Sequence, residues 1–109
     1  MPKPKPAWFL YLIRCGNNHL YTGITIDLER RFAEHQSQGK KCAKYLKGKA
    51  PLELVFTSPA GATKSEASRL EFYVKRLSKA KKEQLVSGAL TLEQLGLQSP
   101  QEARSQWGS

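Results

Sequence analysis

From Trp8 to Ile13 every residue is apolar or aromatic, and nothing else in the chain restricts its fold so strongly. An unbroken run of this kind suits a strand covered on both faces, and so the middle of a small sheet. Leu20, Thr22 and Ile24 then alternate with Tyr21 and Gly23, as in a second strand. Gly16-Asn17-Asn18 lies between the two, and Gly and Asn tolerate the positive φ of a tight hairpin. With strands at residues 8–15 and 19–24 and those three residues as the loop, Cys15 faces His19, Ile13 faces Tyr21 and Tyr11 faces Gly23. Tyr11 and Tyr21 then become diagonal neighbours on one face. A turn made of Asn17-Asn18 alone would send them to opposite faces. Gly23, with no side chain, marks close approach of a ligand or another backbone to the strand.

Thr25 or Asp27 caps a helix whose first turn, Asp27-Leu28-Glu29, sets acid at the positive end of the dipole. Arg31 and His35 are four apart on it, on the same side as Leu28 and Phe32, and the helix is expected to end near Gly39. A third strand is expected over Leu52–Thr57, with Leu52, Leu54 and Phe56 on one face and Ser58-Pro59-Ala60-Gly61 ending it. Thr63-Lys64-Ser65-Glu66 is a capping box, opening a helix with the stripe Ala67, Leu70, Val74 and Leu77. Glu71 falls inside that stripe, whereas Arg69, Lys75, Arg76 and Lys79 are expected to point outward. An inward carboxylate is costly without a cation or several donors, and its ordinary explanation is an ion pair with an arginine such as Arg31. A second capping box, Thr91 to Gln94, predicts one or two further turns ending at Gly96.

At 109 residues, 39% of them hydrophobic, the chain supports one modest core. The organisation expected is a Lys/Pro tail at residues 1–7, a single domain at 8–97 and a polar tail at 98–109. Eighteen Lys and Arg against nine Asp and Glu give a formal charge of +9, which points to a polyanionic partner, nucleic acid first. No apolar run approaches the roughly 20 residues that span a bilayer, and no signal peptide is legible, so the expected setting is the cytoplasm, with no membrane and no obligate protein partner. Cys15, Cys42, His19 and His35 match no paired zinc-ligand spacing, and the two cysteines read as reduced thiols. Lys40, Lys41, Lys44 and Lys47 form a basic segment with Tyr45 among them; the overall charge favours phosphate contact over a merely solvated loop.

Two phenols, a guanidinium, an imidazole and one inward carboxylate fit phosphodiester hydrolysis. A single carboxylate suffices for Mg²⁺, which keeps most of its water. Arg31 is placed to pair with the scissile phosphate. The base is either Tyr21, if its phenol is made to lose its proton easily, or His35, the more conventional group. Taken singly, each residue has a plainer reading: a packed tyrosine, a surface arginine, a polar helix edge.

Over residues 8–82 the chain resembles the GIY-YIG nuclease superfamily, in particular its small single-domain bacterial branch. Phe9-Leu10-Tyr11 stands where the first signature triplet falls, Tyr21-Thr22-Gly23 where the second does, Asp27 to His35 looks like its helix, and Glu71 matches its metal-binding glutamate. The resemblance implies an α+β fold, a three-stranded antiparallel sheet flanked by helices. It also implies Mg²⁺- or Mn²⁺-dependent endonuclease chemistry on DNA; the expected action is directed by structure or damage more than by base sequence, in a setting of DNA repair, with RNA left open as a substrate. The roles it implies are Tyr21 as general base, Tyr11 supporting it, Arg31 on the phosphate, His35 orienting the tyrosine or water, Glu71 holding the metal and Gly23 leaving space at the site. Many members carry an asparagine near the end of the domain, and residues 72–97 contain none. The alternative is therefore a nucleic-acid-binding module of the same fold with weak or no turnover.

Overall fold

The central strand β1 (Trp8–Arg14) pairs antiparallel with β2 (Leu20–Thr25) on one side and β3 (Glu53–Gly61) on the other, in a computed structural model that describes residues 8–97. The order β2-β1-β3 explains the unbroken apolar run, because β1 alone is flanked by strands on both edges and covered on both faces. Tyr11 pairs with Gly23 and Ile13 with Tyr21, the register expected from a three-residue loop. Cys15 N donates to His19 O at 2.9 Å to close that loop, and Asn18 takes the positive φ of 70°. The tails assigned to residues 1–7 and 98–109 lie outside the described residues.

Helix α1 (Leu28–Ser37) is capped by Asp27, whose carboxylate accepts from Arg30 N. It ends at Ser37, close to the expected Gly39, because Gln38 adopts the left-handed conformation. The Gln38 amide compensates: Nε2 donates to Leu46 O at 3.1 Å and Oε1 accepts from Gly48 N at 2.7 Å. These bonds fasten the end of α1 to a single 3₁₀ turn, Lys44–Leu46. Helix α2 (Lys64–Lys75) opens on the reciprocal Thr63–Glu66 capping box. Helix α3 (Lys79–Ser87) is capped by Ser78 and closed by Gly88. It has no apolar stripe to announce it in the sequence; Arg14 instead grips Glu83 through two bonds of 2.7 Å and ties α3 to β1. Thr91 and Gln94 make the second reciprocal box, and Gly96 turns the chain beyond it.

Two expectations for β3 do not hold. The strand runs on to Gly61 instead of ending at Ser58, since it lies at the sheet edge, where Pro59 needs no partner for the amide hydrogen it lacks. Leu12 pairs with Phe56 but Ile13 with Leu54, so one extra residue, Val55, bulges from the ladder. The bulge sends Phe56 to the face opposite Leu54.

Each sheet face has its own core. Leu10 and Leu12 pack with Ala60, with Ala67, Leu70 and Val74 of α2, and with Leu85 of α3. Tyr11 and Ile13 pack on the other face with Cys15, Cys42, Leu46 and Leu52, while Tyr21, Leu28 and Phe32 partly cover them. Both cysteines are buried free thiols.

Candidate active site

The polar groups gather where the α1 face of the sheet reaches the free edge of β2. Tyr11 and Tyr21, diagonal across the β1–β2 pair, have ring centroids 6.3 Å apart, and the His35 ring lies 5.9 Å from the first and 5.8 Å from the second. Tyr11 lies over Gly23. A Cβ at position 23 would come within 2.9 Å of Tyr11 Cε1 and overlap the carbon and oxygen beyond it, so glycine is the residue that lets the phenol lie there.

His35 is fully buried. Its Nδ1 accepts from Ala43 N at 3.3 Å, which leaves the proton of the neutral ring on Nε2, and that nitrogen lies 2.9 Å from the Tyr11 hydroxyl. The imidazole therefore donates to Tyr11 Oη, and the Tyr11 proton is left for another acceptor. Burial first, and the neighbouring Arg31 second, push the His35 pKa down to about 4. His35 thus stays neutral and holds a phenol in place, with no open path for it to take a proton from water.

Both phenols are held in their protonated form. Burial, then the adjacent Tyr21, pushes Tyr11 up to about 12, with Arg31 opposing. Tyr21 is raised chiefly by burial, while Lys75 and Arg31 pull it back and Glu71 and Cys42 add to the rise. Arg31 is partly committed: Nη1 donates to Glu34 Oε1 at 2.9 Å and to Lys41 O at 2.7 Å. Its carboxylate partner is Glu34, not Glu71, and Arg31 holds the Glu34 carboxyl below the usual range. Its other two nitrogens, Nε and Nη2, have no hydrogen-bond partner at ordinary bonding distance among the described residues, and the group bears directly on the Tyr11 hydroxyl.

Glu71 is not sunk in the core, as its place in the stripe suggested. Its side chain keeps 22% exposure at the rim of α2, and Lys75, one turn on and expected to point away, turns back to set Nζ 3.4 Å from the carboxylate. The reason is angular: Ala67, Leu70 and Val74 fill the buried stripe, and position 71 falls at its border. Helix α2 covers the opposite sheet face but also packs across β2, and from there the charge of Glu71 reaches both phenols. Among the described residues no three His, Cys, Asp or Glu side chains gather as a metal cage. One partly exposed carboxylate is nevertheless a donor set that suits a hydrated Mg²⁺, which takes one or two carboxylates and its remaining ligands from water and substrate.

Lys40, Lys41, Lys44 and Lys47 are all exposed around the 3₁₀ turn. Lys41 also lies 4.0 Å from Glu34. Tyr45, which the sequence reading left without a role, belongs to the cluster. Its ring stacks on Tyr21 with centroids 5.7 Å apart and planes 25° from parallel, Lys49 Nζ sits 4.1 Å from its centroid, and its hydroxyl lies 3.1 Å from His19 Nδ1. An aromatic residue inside a lysine run was the available signal.

Residues 7–84 match the model of the GIY-YIG catalytic domain. The chain is 60% identical over 86 residues to a UPF0213 protein of Cronobacter sakazakii, covering 79% of this chain and 87% of that one. It is 51% identical over 96 residues to the UPF0213 protein YhbQ of Escherichia coli K12, covering 86% and 93%. The solution NMR structure of the UPF0213 protein BH0048 from Bacillus halodurans is similar at 46% identity over 73% of this chain and 82% of that chain, with a TM-score of 0.45.

Proposed function

The chain belongs to the GIY-YIG family, its catalytic domain spanning residues 7–84, and on that premise we propose that it is a metal-dependent endonuclease that hydrolyses phosphodiester bonds in DNA. The observation that carries this reading is the convergence of Tyr11, which lies over Gly23, with its diagonal neighbour Tyr21, while Arg31 and Glu71 bear on both rings. In this reading a backbone phosphate enters beside Tyr21 and meets the remaining guanidinium nitrogens of Arg31, whose charge is greatest in value as charge builds on the phosphate. The small ionised fraction of Tyr21, its proton already given up to solvent, accepts the proton of the attacking water and becomes the neutral phenol. Tyr11, its oxygen held by His35, keeps a proton to donate toward that pair and fixes the ring beside it. Glu71 would hold Mg²⁺ or Mn²⁺, which when bound shields the leaving oxygen.

The proposed substrate is DNA recognised by structure or damage, and the proposed setting is repair in the cytoplasm. The exposed cations Lys40, Lys41, Lys44 and Lys47 support low sequence specificity, because phosphate contacts position a strand without reading its bases. Among the described residues no helix is long and apolar enough to cross a membrane.

The test is incubation with nicked, branched and intact duplex DNA, and with RNA, in Mg²⁺. Cleavage by the wild type that is lost in Tyr21→Phe and Glu71→Ala supports the reading; equal cleavage by the variants defeats it. The second reading, a binding module without turnover, draws on the protonated phenols and on the Lys75 ammonium already beside Glu71. It predicts salt-sensitive DNA binding that Glu71→Ala leaves unchanged and no cleavage by any variant.

A further inference from the structure

Beside the phenol cluster, on the far side of Tyr45, is a cleft of about 230 Å³ lined by His19, Leu20, Tyr45, Lys79 and Lys82. It is smaller than the roughly 300–1,000 Å³ of sites that hold whole small molecules, and suits a single phosphate with part of its sugar. Its polar groups are donors or cations drawn from three separate parts of the fold: the hairpin end, the 3₁₀ turn and the first turns of α3. Tyr45 Oη engages His19 Nδ1, so Nε2 is the imidazole nitrogen left for a ligand. Lys79 shares Glu83 with Arg14, but Lys82 pairs with no carboxylate among the described residues. Burial, and then the nearby Lys75, disfavours the charged form of Lys82, as expected of a place short of negative charge.

We propose that this cleft is a second phosphate subsite, which takes a backbone phosphodiester of the nucleic acid adjacent to the one under attack. Tyr45 joins the two places, giving its ring to Tyr21 and its hydroxyl to the cleft. A strand seated in both is held in register, so that the scissile phosphate is presented to Tyr21 and Arg31. The inference rests on the nucleic-acid reading above, but on binding and not on turnover.

The experiment is an amide NMR titration of the full chain with a short nicked DNA duplex, without divalent metal so that no cutting occurs, alongside binding measured over a range of salt. The amides of His19, Lys79 and Lys82 are expected to shift with those around Tyr21. Lys82→Gln, whose spectrum also reports its folding, is expected to weaken binding roughly three- to tenfold and to lower the salt slope by about one. The subsite is overturned if residues 19, 79 and 82 stay still while the surroundings of Tyr21 move, or if Lys82→Gln binds like the wild type. It is equally overturned if inorganic phosphate alone gives the same shifts at the same affinity per phosphate, which would make the cleft a small-anion site. A protein that gives the expected shifts yet never cuts DNA in Mg²⁺ retains the subsite and loses the endonuclease reading.

Discussion

Tyr45 and Tyr21 are stacked face to face, 25° from parallel, although 24 residues separate them and only one of the two belongs to a signature triplet. The stack braces the phenol proposed as base against a turn that Gln38 pins to α1. Tyr45→Ala is expected to cut the single-turnover rate on DNA about tenfold or more, since small misplacements at a reacting centre are costly. Tyr45→Phe keeps the ring and should keep most of that rate. Equal rates for Tyr45→Ala and wild type would dissociate the stack from catalysis.

Gly23→Ala tests the space over β2. The added methyl overlaps the Tyr11 phenol, and a cross-strand ring between two packed layers has little freedom to withdraw. A loss of about 1–3 kcal/mol in urea unfolding is expected, with a fall of about a hundredfold in cleavage. Full activity in this variant would show that Tyr11 can leave Gly23 without consequence.

The raised Tyr21 pKa sets the direction of the pH profile. Only a small fraction of the phenol is ionised at neutral pH, so kcat/KM is expected to climb with pH, up to about tenfold per unit, before it levels. Tyr21→Phe should be slow and lack that climb. An unchanged climb in Tyr21→Phe would assign the titrating group elsewhere.

His35 predicts an acid-sensitive fold. Its pKa falls from 6.5 to about 4 on folding, so the neutral form is favoured in the native state. The associated stability is complete above about pH 6.5 and is lost as pH falls toward 4, a change of about 3 kcal/mol for a shift of this size. Urea midpoints measured across that window should drop in the wild type. They should drop much less in His35→Gln, which has no group to protonate there, although its starting stability will be lower.

Arg14 and Glu83 predict a local loss. Glu83→Gln removes one charge from a two-pronged pair and from Lys79, and should cost about 1 kcal/mol while leaving β1 and β2 intact. Amide exchange would locate the loosening in α3. Uniform loosening of the whole sheet would show that α3 is not held by this pair.

What could be read in advance depended on how local its cause was. Asn18 and the short loop settle the hairpin register, and that register alone puts Tyr11 and Tyr21 on one face. The Thr63–Glu66 box is equally self-contained. Phe56 was misplaced because the bulge at Val55 answers to the pairing of two strands about 40 positions apart, and no period within β3 announces it. Helix α3 was missed because polar anchors replace an apolar stripe. Glu71 was drawn too deep because a period-based stripe has soft borders, and at such a border a lysine one turn away can take the carboxylate. Tyr45 gains meaning only from Tyr21 and His19, both distant in sequence.

The phenols belong to the layer under α1, whereas Glu71 comes from α2 on the reverse of the sheet, and only the outermost strand stands between them. In the proposed endonuclease reading, hydrolysis therefore requires both helical layers to be docked at once. Loosening of either helical layer separates the acid from the rings, so hydrolysis should fail at the first to detach, at a denaturant concentration where the remaining layer and the sheet are still intact.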